Sequence, residues 1–136
     1  MPAIRHLLLD CDGVLVDSEP IALEVEIAML AELGVPADAH LIEERFVGRD
    51  VGAIIGIVRE LFGVTLPADF EDRHGQRMLE AFAGRLLAVA GVPETLAAIA
   101  LPKSVVSNSP RPRVLYSIKA VGIAHHFAGR VHTASD

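Results

Sequence analysis

Two aspartates, Asp10 and Asp12, stand two residues apart just after an apolar run, Ile4 to Leu9. The run reads as a buried strand over Ala3–Leu9, and carboxylates at the C-terminal end of such a strand can meet one phosphoryl group. One can attack phosphorus while the other gives and takes a proton. We assign Asp10 as the nucleophile and Asp12 as the acid/base. Gly13 then allows the tight backbone path that a phosphate site needs. The attack sets two anions against each other, so a cation is required. Mg²⁺ suits oxygen ligands and phosphoryl groups; Asp10 would supply a carboxylate and Asp12 its backbone carbonyl.

A second set of polar residues, Ser107-Asn108-Ser109-Pro110, follows the β-branched stretch Lys103–Val106 and opens a helix. The Ser107 hydroxyl and the Asn108 amide can hold phosphate oxygens at the positive end of that helix. Taken alone, the segment reads better as a simple helix cap, and its place beside the first motif in a parallel sheet reverses that. Lys103 falls at the opposite end of the same strand, which predicts solvated surface. Cys11, between the two aspartates, is expected to be a small buried residue. Adjacent His125 and His126 are expected to point apart and to play a structural part.

These residues need elements to hold them. Ser18 can cap a helix running to about Leu33, with Ile21, Val25, Met29 and Leu33 as its apolar stripe. Gly34 and Pro36 end it. Asp38 opens a short helix to about Phe46, and Asp50 caps another over residues 51–62. A fourth helix runs from about Ala68 to Ala83. Beyond Gly91 the pattern changes to a helix over Pro93–Ala100, a strand to Ser107, a helix over Pro110–Val121 and a third strand over Arg130–Thr133. Strand, helix, strand, helix, strand describes a parallel sheet. The fold class is therefore α/β, a Rossmann-like parallel-sheet core with four helices inserted after the first strand. The core is residues 1–16 and 91–136, and the helical insertion is residues 17–90. Among the insertion's arginines, Arg45, Arg49, Arg73 and Arg77 are candidates for a substrate's distal groups. Arg49 follows Gly48 in a turn that can face the active site, and the others read as solvated helix faces.

The 136 residues are 51% hydrophobic and 22% charged, with a net charge of −6, and so belong to a globular chain. No Lys/Arg run is present, which argues against nucleic acid or an anionic membrane as partner. The mean hydropathy is +0.42. No apolar run approaches the roughly 20 residues of a spanning helix. With one cysteine and an N-terminus that reaches Asp10 too soon for a signal peptide, the expected location is cytoplasmic.

Asp10-Cys11-Asp12-Gly13-Val14-Leu15-Val16-Asp17-Ser18-Glu19 closely resembles the first motif of the haloacid dehalogenase (HAD) superfamily. The helical insertion, Gly91-Val92-Pro93-Glu94 and Val105-Val106-Ser107-Asn108-Ser109-Pro110 follow in the family's order. The chain is similar to the β-phosphoglucomutase-like, 6-phosphogluconate phosphatase-like branch. The resemblance implies a Mg²⁺-dependent phosphatase of a small phosphorylated metabolite, such as a sugar phosphate, acting through an aspartyl-phosphate. It implies that Asp10 and Asp12 are catalytic and bind the metal, that Ser107 and Asn108 grip the phosphate, and that residues 17–90 form a cap hinged near Asp17 and Ser18. A phosphomutase shares Asp10 and Asp12, although Ala22 stands where that branch often has a histidine. The family's phosphate-neutralising lysine and its later metal-binding acids have no match here, Asp136 not being assigned as a ligand. The chain is accordingly expected to be the N-terminal part of a longer enzyme, monomeric at full length. As a fragment it would be a binding or interaction module that exposes an apolar sheet edge and associates through it.

Overall fold

The first strand is shorter than the apolar run that announces it. In the computed structural model, which describes residues 2–136, β1 is Leu7–Leu9 rather than Ala3–Leu9. Among the described residues it pairs with β2 (Lys103–Ser107) alone, in parallel register with Leu7 opposite Lys103 and Leu9 opposite Val105. Residues 2–6 precede the start of β2 in this register, and among the described residues they join no ladder. The strand is also not buried throughout, since Ile4 and Leu8 are 71% and 70% exposed. A strand with one neighbour leaves part of its apolar surface uncovered.

The sheet order is β1-β2-β3, with β3 (Val131–Thr133) parallel to β2 and Val105 opposite Val131. Placing β2 in the centre buries it best: Lys103, Ser104, Val105 and Ser107 are all buried. Helix α6 (Arg111–Ala120) connects β2 to β3 and turns Val114 and Ile118 inward. A short 3₁₀ turn, Ala124–His126, precedes β3 and was not foreseen from the sequence. Parallel strands need crossovers of this kind, and both Asp10 and Ser107 therefore fall at C-terminal strand ends.

Between β1 and β2 run five helices. They are α1 (Glu19–Glu32), α2 (Ala39–Arg45), α3 (Val51–Phe62), α4 (Phe70–Phe82) and α5 (Val92–Ala98). Their starts follow local chemistry. The Asp38 carboxylate accepts from the Leu41 N–H at 2.9 Å and opens α2; that of Asp50 accepts from the Ala53 N–H at 2.7 Å and opens α3. Gly63, at φ +66°, ends α3 in the left-handed conformation that glycine adopts without strain. On α1 the buried positions are Ile21, Val25, Met29 and Leu30, so Leu30 takes the inward place expected of Leu33.

The chain divides into two units. One is the sequence up to Ser18 together with Phe82–Asp136; the other is Glu19–Ala81. Residues 82–90 go with the sheet because they hydrogen-bond to the loop after Asp12. The Asp17 N–H donates to the Leu87 carbonyl at 2.8 Å and the Val89 N–H to that of Leu15 at 3.0 Å. The sheet unit is centred on Val16, Val105, Val114, Ile123 and Phe127, all fully buried. The helical unit has its own core of Leu30, Ile42, Phe46, Val58 and Met78. Within it, α4 ties to α1 through His74–Glu26 at 3.4 Å and Arg77–Glu32 at 3.0 Å.

Candidate active site

The segment after β1 folds back on itself at once. The Cys11 carbonyl accepts N–H groups from Leu15 at 2.8 Å and Val16 at 3.1 Å, while the Gly13 N–H donates to the Val16 carbonyl at 2.9 Å. Gly13 holds φ at +74°, which a side chain at that position would resist. This small loop leaves Asp10 exposed at the strand end, with its Oδ1 accepting from the Cys11 N–H at 2.7 Å. Asp12 turns into the sheet unit instead.

Three donors converge on the Asp12 carboxylate. Ser18 Oγ donates to Oδ1 at 2.6 Å, Ser109 Oγ to Oδ2 at 2.5 Å, and Arg113 Nη2 to Oδ1 at 2.9 Å. The Asp12 and Arg113 side chains are 21% and 15% exposed. Burial alone would raise the Asp12 pKa, but the Arg113 charge and the hydrogen bonds from Ser109, Ser18 and Arg113 outweigh it and hold the carboxyl below its usual range. Asp12 is thus held here as an anion that accepts.

The Ser107–Ser109 turn lies at the end of β2. Ser107 is buried, and its Oγ accepts from the Ser109 N–H at 3.0 Å, so its own O–H is left to donate. Asn108 is exposed at the tip of the turn. Arg113 follows in the first turn of α6, its guanidinium carbon 5.2 Å from the centroid of the Phe82 ring. Its Nε is buried without a hydrogen-bond partner.

The structure brings Asp12 together with Ser18, Ser109 and Arg113, none of which had been given this contact from the sequence. Ser18 was expected to cap α1, yet its hydroxyl points at Asp12. A signal for Arg113 was present. Cations are disfavoured in the first turn of a helix, and α6 carries Arg111 and Arg113 there with no acid beside them. Each therefore calls for a carboxylate from elsewhere. Arg113 has Asp12, and Arg111 has Asp136 at 2.7 Å. Asp136 also accepts from the Thr133 N–H at 3.0 Å, and Arg111 followed by these Thr133 contacts lowers its pKa to about 2.

Two expectations fail on packing grounds. Lys103 is not solvated surface but 5% exposed, its Nζ donating to the carbonyls of Ile99 and Leu101. Those carbonyls lie in the turn that follows α5, at its C-cap Ile99 and at Leu101, and the buried ammonium satisfies them. The His125 and His126 rings do not point apart; the 3₁₀ turn stacks their centroids 4.0 Å from each other. Cys11 is buried as expected, and burial, then the Asp12 charge, pushes its thiol up to about 12. Arg49 is exposed in the turn between α2 and α3, where its N–H donates to the Phe46 carbonyl at 3.0 Å.

Oxygen donors from Asp10 and Asp12 are of the type a hard cation takes, and Mg²⁺ commonly uses one or two carboxylates, keeping waters and substrate oxygens for the rest. Among the described residues no group of three or more acids, histidines or cysteines gathers as a cage. Among them also, no helix is long and apolar enough to cross a membrane.

No family model matches the chain. It is 35% identical over 138 residues to the 6-phosphogluconate phosphatase of Escherichia coli (strain K12), covering 100% of this chain and 62% of that protein. Among solved structures, it is similar to a haloacid dehalogenase-like protein of unknown function from Agrobacterium tumefaciens. That likeness has a TM-score of 0.80 at 30% identity and covers 98% of this chain and 60% of the other. A HAD family hydrolase from Deinococcus radiodurans R1, solved with bound phosphate and sodium, matches with a TM-score of 0.69 at 30% identity, over 97% of this chain and 58% of its own. The chain thus spans about three-fifths of the length of the relatives it matches. These relatives and structural neighbours are HAD-family hydrolases, and the parallel three-stranded sheet with its helices corresponds to the N-terminal part of their fold.

Proposed function

We propose that this HAD-family chain carries the phosphoryl-transfer residues of a Mg²⁺-dependent phosphatase acting on a small phosphorylated metabolite, a sugar phosphate. The observation that carries the reading is the Asp12 cluster beside Asp10. A loop that leaves one carboxylate exposed and wraps the next in three donors gives two acids in one motif two different environments. Different environments are what separate a nucleophile from an acid/base. The E. coli relative is named for 6-phosphogluconate, which supports a sugar-derived phosphate ester as the substrate class.

In this reading an Asp10 oxygen attacks phosphorus opposite the ester oxygen. The P–O(ester) bond breaks, and the phosphoryl group passes to Asp10 as an aspartyl-phosphate. Asp12, an anion in the resting site, first takes up a proton as the substrate binds and then passes it to the departing alkoxide, so the first product leaves as an alcohol. A water then attacks phosphorus, Asp12 takes a proton from it, and inorganic phosphate leaves with Asp10 restored as a carboxylate. The Ser107 hydroxyl and Asn108 amide hold the phosphoryl oxygens at the head of α6. Mg²⁺, held by the Asp10 carboxylate and the Asp12 carbonyl, would offset the charge between nucleophile and phosphate. The helical unit, Glu19–Ala81, acts as the cap, with Arg49 contributing to substrate choice. The enzyme works in the cytoplasm, a location consistent with a single buried thiol and with described helices too short or too polar to span a bilayer.

Steady-state hydrolysis of a phosphate-ester panel with Mg²⁺ tests this. The protein at its natural length should turn over at least one sugar phosphate, and Asp10→Asn should abolish turnover. An Asp10→Asn protein that retains the activity would overturn the mechanism.

A further inference from the structure

We propose that Arg113 is a phosphate-binding residue, and that a phosphoryl group entering the site draws its guanidinium away from Asp12. The inference rests on the phosphatase reading and adds to it a cation that the sequence motifs did not supply. A phosphoryl dianion facing the Asp10 carboxylate needs positive charge close by. Among the described residues, Lys103 is tied to the carbonyls of Ile99 and Leu101 at the start of β2, and Lys119 is exposed in the last turn of α6. Arg113 is three residues past Pro110, at the head of α6 and directly after the Ser107–Ser109 turn.

The guanidinium itself shows an unfilled place. Nη2 donates to Asp12 Oδ1 at 2.9 Å, while Nε is buried and has no partner. Nε and Nη2 share one edge of the planar group, and their N–H bonds run parallel. One donor of that edge therefore meets an oxygen and the other meets none. Buried donors rarely stay unpaired. The second Asp12 oxygen accepts from Ser109 Oγ at 2.5 Å and leaves Nε without a partner. A phosphoryl group brings three oxygens and a greater charge, and it can take both donors of the edge at once. Asp12 then keeps Ser18 and Ser109 as partners and is free of the cation that had engaged it. The Phe82 ring, 5.2 Å from the guanidinium carbon, backs the group and limits the directions it can take.

Inorganic phosphate is the probe, titrated with Mg²⁺ into the protein at its natural length. The Arg113 Nε–H cross-peak, assigned through its own backbone, is followed by NMR while calorimetry measures affinity. We expect the cross-peak to move as phosphate saturates. Arg113→Lys, which keeps the charge and loses the fork, should weaken phosphate binding by about 10- to 100-fold. If phosphate binds and esters are hydrolysed while the cross-peak stays still and Arg113→Lys binds within about twofold of wild type, the Arg113 assignment is wrong and the phosphatase reading stands. If the wild-type protein neither binds phosphate nor hydrolyses esters, both fall. The wild-type cross-peak decides the matter even if the variant does not fold.

Discussion

Replacing Asp12 by asparagine should destabilise the protein by about 2–3 kcal/mol at neutral pH. The figure follows from the partners that Asp12 has. Arg113 is a largely buried cation, with its side chain 15% exposed, and Asp12 is the carboxylate it holds at 2.9 Å. Removing one member of a buried pair costs about 3–5 kcal/mol, because the other charge is left uncompensated. The amide keeps one acceptor oxygen, which Ser18 or Arg113 can still use, and residual exposure lets water reach the guanidinium, so the lower figure applies. With a urea m-value of about 2 kcal/mol/M, the unfolding midpoint should drop by about 1–1.5 M with m unchanged. The pH dependence gives a second check. Asp12 has a folded pKa below its unfolded value, so its contribution is fully present above the ordinary carboxylate range. It is lost as pH falls through the depressed folded value. The gap between wild type and Asp12→Asn should therefore be full near pH 7 and should close in acid. A variant within about 0.5 kcal/mol of wild type at pH 7, or a gap that widens on acidification, would show that the Arg113–Asp12 contact does not hold the loop.

Other consequences can be checked more briefly. Cys11, with its thiol at about 12, should have only about one thiolate in 10,000 at pH 8. It should react with a thiol reagent only after denaturant is added, and rapid labelling of the native protein would contradict its burial. Asp50→Ala removes the acceptor at 2.7 Å from the Ala53 N–H and should cost about 1 kcal/mol in urea unfolding, as a lost N-cap does. Arg49→Ala should lower kcat/KM for the preferred ester while leaving the folding midpoint in place; unchanged kcat/KM across all good substrates would remove Arg49 from substrate choice.

What could be read from the sequence was local. Asp38 and Asp50 announce α2 and α3 because an N-cap acts on amides only three residues away. Helix α3 ends where Gly63 allows a left-handed turn. The strand of Ser107 and the helix after Pro110 also lie where composition put them. What escaped was set by neighbours distant in the chain. The length of β1 depends on where β2 starts, far along the chain: Leu8 pairs with Ser104, and His6 meets Ser104 Oγ across a separation of 98 residues. Lys103 looked exposed by strand position, yet it donates to the carbonyls of Ile99 and Leu101 in the turn after α5 and is buried. The candidate site divides the same way. Asp10 and Asp12 declare themselves by spacing, while Ser109 and Arg113 reach Asp12 across separations of 97 and 101 residues. Two arginines in the first turn of α6 were the one trace of that arrangement in the sequence.

The central claim is that Asp10 becomes covalently phosphorylated. The direct measurement is rapid acid quench of the protein at its natural length during turnover of its best phosphate ester with Mg²⁺, followed by mass analysis of the peptides. The account predicts the mass of one phosphoryl group on the peptide that contains Asp10, and its absence from Asp10→Asn. Turnover with no phosphorylated peptide at any quench time, or with the phosphoryl group on another residue, would contradict it.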